Sequence, residues 1–181
     1  MTDRPCGIVV FGANGSGKTT LGRELARLLG FWHIDHEAYH FLPSDVPYTA
    51  ARSAEACRAL MLNDVQAHGS FVLSAVTGDF GEDMARMYRL AVCIAAPLSL
   101  RLERIEQREL DRHGARVLEG GDMREQHAEF LRFVASRSHA SIERWAQTLA
   151  CPVIHVDGTE DWRVIAADIA RRFRALPGLR A

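Results

Sequence analysis

"CGIVVFGANGSGKTTLGRELARLLG" (residues 6–30) decides how the chain folds. Its opening, Cys6 to Gly12, is a β-branched run that closes on glycine, the pattern of a strand buried on both faces. Its end, residues 18–29, sets Leu21, Leu25, Leu28 and Leu29 on one helical stripe, and Gly30 stops the helix. Between them Gly12-Ala13-Asn14-Gly15-Ser16-Gly17-Lys18-Thr19 matches G-x-x-x-x-G-K-[ST]. A match of that length carries weight only between a strand and a helix, and here it has both. The chemistry accounts for each residue type. Glycines let backbone N–H groups curl around a phosphate without Cβ clashes, and the helix N-terminus adds partial positive charge. Lys18 is expected to reach the β- and γ-phosphates of a nucleotide, and the Thr19 hydroxyl to ligate Mg²⁺. The expected nucleotide-binding set runs from Gly12 through Thr20. No N-K-x-D stands beside a strand to read guanine, so ATP is the expected nucleotide. The "VDGT" of residues 156–159 is where backbone would pass around the base.

Composition bounds the rest. The 181 residues suit one domain with a proper core. A net charge of −1, with 48% hydrophobic and 25% charged residues, predicts a soluble globular protein with neither nucleic acid nor membrane as partner. The longest apolar run, Leu90 to Leu98, is too short to span a bilayer, and the first twelve residues lack the pattern of a signal peptide. Cys6, Cys57, Cys93 and Cys151 are scattered singly, which predicts free thiols in a cytoplasmic protein.

Beyond the loop, strands are predicted at about 31–35, 70–76, 90–96 and 152–158. Helices are predicted at about 51–67, 98–112, 123–149 and 160–174. Alternating strands and helices give an α/β fold, a doubly wound five-stranded parallel sheet in three layers. In helix 98–112, Leu98, Leu102 and Ile105 are expected to face the core. Arg101, Arg104, Arg108 and Arg112 would then form a basic stripe. In helix 123–149, Leu131, Val134, Ile142, Trp145 and Leu149 are expected inward. The Gly-rich segment 113–122 cannot be long regular structure.

One competing motif stands at His36-Glu37-Ala38-Tyr39-His40, which spells the H-E-x-x-H of zinc hydrolases. Those enzymes set it within a long helix, so that both imidazoles face a third ligand. Here "FWHID" reads as a strand ending at Asp35, and Pro43 and Pro47 follow closely. One helical turn is left, with Glu55 the nearest later carboxylate in a helical context. The metal reading therefore ranks last.

In order of elements the chain resembles the small P-loop kinases: nucleoside monophosphate kinases, shikimate kinase and gluconate kinase. "GANGSGKTTLGRELA", "SAVTGDFG" and "ARVLEGGDM" more narrowly resemble bacterial AAA-family or adenylate-kinase-like ATP-binding proteins. The resemblance implies one domain over 1–181, an acceptor-binding segment over about 36–68 and a short lid over about 113–124. It implies that Arg104 stacks on adenine and Arg108 clamps the transferring phosphate. Asp35 would hold the acceptor hydroxyl, Asp79 would contact the acceptor or the Mg²⁺ shell, and Arg116 and Arg124 would swing in from the lid edges. Two departures stand out. His33 replaces the first Asp of the shikimate-kinase D-x-D, and Ser74 stands where nucleoside monophosphate kinases end their third strand on Asp. The expected activity is transfer of the γ-phosphoryl group of ATP to a small-molecule acceptor, a non-standard nucleotide, a sugar acid or a similar hydroxyl compound. Lys18, Asp35 and Arg108 would be catalytic, and the protein a monomer or homodimer. The alternative is a P-loop ATPase serving as a switch or partner-remodelling protein.

Overall fold

A computed structural model describes residues 5–177. Five strands, β1 (Gly7–Phe11), β2 (Trp32–Asp35), β3 (Phe71–Ala75), β4 (Tyr88–Ala95) and β5 (Val153–Asp157), form one sheet in the order β2-β3-β1-β4-β5. Every pairing is parallel. All five residues of β1 are buried, because a central parallel strand has no wet face. Its side chains alternate. Ile8 and Val10 face one layer, with Leu21 and Leu25 of α1 (Lys18–Leu29) and Ile165, Ile169 and Phe173 of the C-terminal helix (Trp162–Arg174). Val9 and Phe11 face the other, with Met61, Val65 and Ile142. The order reverses at β1, whose neighbours are β3 on one side and β4 on the other. In open α/β sheets such a reversal leaves a crevice beyond the strands' carboxyl ends.

The remaining helices are α2 (His36–His40), α3 (Ala54–His68), α4 (Glu82–Ala85), α5 (Leu98–His113), α6 (Arg124–Ser136) and α7 (Ala140–Ala146); the C-terminal helix is α8. Among the described residues no helix is long and apolar enough to cross a membrane.

Two helix expectations need correction. The single helix 123–149 is two, α6 and α7, because Arg137 is extended and the Ser138 hydroxyl accepts the Ala140 N–H at 3.1 Å. A serine that offers the backbone this local bond favours a helix start over a helix interior. The inner face of α5 is Arg101, Ile105 and Glu109, whereas Leu98 is exposed and Leu102 half-buried. The four arginines are therefore not one continuous basic stripe: Arg101 points into the protein.

Candidate functional site

The phosphate loop joins β1 to α1 at the crevice. Gly17 caps α1 in the left-handed region with no side-chain bond to the first turn, so the leading N–H groups stay free for an anion. Gly15, at φ +79°, lies against α5 so closely that a Cβ there would sit 2.4 Å from the Arg101 carbonyl oxygen. Arg101 is almost wholly buried and donates from Nη1 to the Asn14 carbonyl at 3.2 Å. It braces the loop from beneath. The Ser16 hydroxyl is buried without a partner, and Lys18 Nζ donates to the Ala13 carbonyl at 2.9 Å across the mouth of the loop. An orphaned hydroxyl, a free helix terminus and a lysine folded onto its own loop together fit a bound phosphate group.

Lys18 is buried, and burial is the main reason its pKa falls to about 8; Glu37 and then Asp35 pull it back up, while Arg108 and Arg101 push it down. These charges converge on the site because the end of β2 and the first turn of α2 share one cleft with the loop. The loop, Thr19, Asp35 and Glu37 line a cleft of about 470 Å³. Arg104, Gly158 and Trp162 line it as well. Arg104 donates to the Ser16 carbonyl at 3.3 Å and the Gly158 carbonyl at 2.9 Å, which ties it to the loop and to the turn after β5. Trp162, with the Arg163 guanidinium 4.0 Å from its ring centroid, is an aromatic surface at the cleft that the sequence reading passed over.

A second cavity, of about 430 Å³, opens beside the cleft between the segment after α2, α5 and α6. Glu37 and Arg108 line both spaces. Arg108 is held by its Nε, 2.9 Å from Glu109 Oε1, and its terminal nitrogens have no protein partner among the described residues. Glu109 is buried and also faces His113 Nε2 at 3.4 Å. The Arg108 fork is thus anchored at its stem and free at its tip.

Asp35 lines the nucleotide cleft but not the second cavity, and its carboxylate accepts the Glu37 N–H at 3.2 Å as the cap of α2. The carboxylate that reaches both spaces is Glu37, which the sequence reading had treated as part of a metal motif. His36 and His40 stack at 5.5 Å and line the second cavity, and no cluster of three metal-ligating side chains exists among the described residues. Asp79 is exposed and lines neither space. Arg116 pairs with Asp122 at 2.7 Å and holds the Asp45 carbonyl at 3.0 Å, while Arg124 lies 3.3 Å from Glu119. Both arginines are engaged with these partners rather than with the phosphate loop. Ser74 is buried, donating to the Lys18 carbonyl at 3.1 Å and meeting His33 Nε2 at 3.0 Å. It is a structural link between β3 and α1.

Residues 8–130 match the family model described as an AAA domain. The chain belongs to this family of P-loop proteins. It is 32% identical over 158 residues to the uncharacterized protein YqaC of Bacillus subtilis (strain 168), covering 83% of this chain and 87% of that one. It is 29% identical over 107 residues to the shikimate kinase of Acinetobacter baumannii (strain AYE), a match spanning 54% of this chain and 59% of the relative. The structure of Acinetobacter baumannii shikimate kinase with shikimate superposes with a TM-score of 0.55 at 21% identity, covering 98% of this chain and 97% of that one. An unliganded sugar kinase from Janibacter sp. HTCC2649 gives 0.53 at 17% identity, covering 98% and 99%. At such identities the likeness is one of fold, a kinase-like P-loop fold.

Proposed function

We propose that the protein transfers the γ-phosphoryl group of ATP to a hydroxyl of a small molecule held in the second cavity. The observation that carries this reading is that Glu37 and Arg108 line both the nucleotide cleft and the cavity beside it. Two spaces that share one carboxylate and one arginine suit a donor and an acceptor meeting at their junction. A switch that merely hydrolyses ATP has no need of a second compartment. The kinase-like fold and the kinases among its relatives support the same reading.

In this scheme the phosphate loop and Lys18 hold the triphosphate, and Trp162 and Arg104 border the adenosine end. Arg108 turns its free fork onto the phosphoryl group as charge redistributes, where an arginine fork matches phosphate oxygens better than a lysine does. Glu37 accepts the proton of the acceptor hydroxyl or orients it for attack. Mg²⁺ fits beside Thr19 and Asp35, an alcohol and a carboxylate at the phosphate end of the cleft, where it would neutralise phosphate charge. The segment 113–124 and the strap over residues 42–50 close the acceptor side and keep water from competing. The test is acceptor-stimulated ADP release across sugars, nucleosides, nucleotides and hydroxy acids. A rate that no acceptor raises above slow hydrolysis would favour the switch.

A further inference from the structure

Phe41, at the base of the strap, and Tyr48, near its tip, both line the second cavity, their rings edge to face at 5.2 Å. The strap is fastened at both ends. At its base Leu42 N–H donates to the Ala50 carbonyl at 2.8 Å, and Phe41 bridges to Ala51. At its tip Gln126 donates to the Pro47 carbonyl at 2.9 Å and Arg112 to the Tyr48 hydroxyl at 3.1 Å. Tyr48 is the non-glycine residue with positive φ, +67°, among the described residues. Such a conformation persists where surrounding contacts over-determine it, and here it puts an aromatic ring on a cavity wall. Helix α6 supplies two more rings, Phe130 and Phe133, stacked at 6.4 Å with planes 22° apart. Phe133 is 51% exposed, with the Arg137 guanidinium 5.4 Å from its ring centroid, and Phe130 is half-buried, so neither ring is consumed in packing the core.

From these two ring-bearing elements around a space that ends at Glu37, we infer that the acceptor is a flat aromatic or heteroaromatic alcohol. The inference rests on the kinase reading and names its substrate class. A sugar acid or polyol carries hydroxyls around its whole rim; Asn14, Gln126 and Arg137 of the lining meet some of them, but those laid against the four rings, Val76, Val117 and Met123 would lose water without gaining hydrogen bonds. A planar ring instead presents its faces to the four aromatic side chains and keeps its polar edge for His36, His40 and His127. Its hydroxyl or hydroxymethyl group then reaches the junction of the two spaces, where Glu37 and Arg108 stand. The cavity lies within the size range of sites that take small organic ligands.

The experiment titrates benzyl alcohol, pyridoxine and thymidine, and in parallel shikimate, gluconate and glucose, into the full chain saturated with Mg²⁺ and a non-hydrolysable ATP analogue. At least one aromatic probe is expected to bind no less than tenfold more tightly than each of the three non-aromatic ones. Phe130→Leu, which keeps apolar bulk and loses the ring face, is expected to weaken that probe about tenfold. The analogue's own affinity should be unchanged in the variant, which shows that the fold is intact. A polyol or sugar acid binding as tightly, no aromatic probe binding, or an indifferent Phe130→Leu would each overturn the inference while leaving the kinase reading in place. Failure of the wild type to bind the analogue would remove the kinase reading, and this inference with it.

Discussion

Binding of nucleotide should draw protons out of solution, by an amount the structure specifies. In the free protein Lys18 has a pKa of about 8, set chiefly by burial. A triphosphate in the loop surrounds its ammonium with negative charge and raises that pKa well above the working range. Every molecule in which Lys18 was neutral must then take up a proton on binding. From a pKa of about 8, the expected uptake per nucleotide is roughly 0.1 at pH 7, 0.5 at pH 8 and 0.9 at pH 9. Affinity should fall toward tenfold per pH unit above pH 8. Phosphate titration does not obscure the signal, since phosphate monoesters finish ionising near pH 6 to 7. Calorimetry of ADP or ATP-analogue binding in buffers of different ionisation enthalpy measures the uptake directly. The same shift has a consequence for stability. The folded pKa lies below the unfolded value of 10.5, so between about pH 8 and pH 10.5 the unfolded chain binds more protons and wild-type stability rises with pH. Below pH 8 the buried charge costs up to about 3 kcal/mol, from roughly 2.5 pKa units at 1.36 kcal/mol each. Lys18→Met should therefore lose nucleotide binding and proton uptake, yet melt higher than wild type at pH 7. Uptake near zero at pH 8, or a Lys18→Met protein no more stable than wild type, would refute the reasoning.

Glu37→Gln should lower acceptor-dependent kcat by ~10²–10⁴ with nucleotide affinity little changed. Asp35→Asn should have a smaller effect on that rate; the reverse ranking would return the acceptor role to Asp35. Arg108→Ala should lower kcat at least ~10²-fold, and Arg108→Lys should restore little of it. Arg108→Ala should also melt lower, because buried Glu109 keeps only His113 beside it; a wild-type kcat would return Arg108 to a structural role. Gly15→Ala should weaken nucleotide binding at least ~10-fold and cost on the order of 1–3 kcal/mol, since its φ is strained for a side chain and its Cβ would meet the Arg101 carbonyl. Equilibrium binding and thermal melts of the variant decide it, and normal values in both would show that the loop has room to move.

The phosphate loop was legible because its chemistry is contiguous: Gly12 to Thr19 bring glycine, lysine and hydroxyl together by covalent connection alone. The five strands and their order of appearance were legible for a related reason, since periods of 2 and 3.6 are local properties of the chain. What needed the folded chain was every judgement that compares distant segments. Arg101 was read as part of a basic stripe, and it is buried because the phosphate loop, 87 residues earlier at Asn14, occupies the side of α5 it points to. The break between α6 and α7 turned on one serine hydroxyl, a weak local signal against a helical stripe that continues through it. Glu37 was in plain view within H-E-x-x-H, but its meaning depends on Arg108 and on a cavity whose walls come from residues 41–48 and 117–137. A sequence states which side chains are near along the chain. Which carboxylate lines the phosphate-loop cleft and which also reaches the neighbouring cavity is decided by the turn of α2 against α3 and β3, through contacts that exist only once the sheet has brought those segments together.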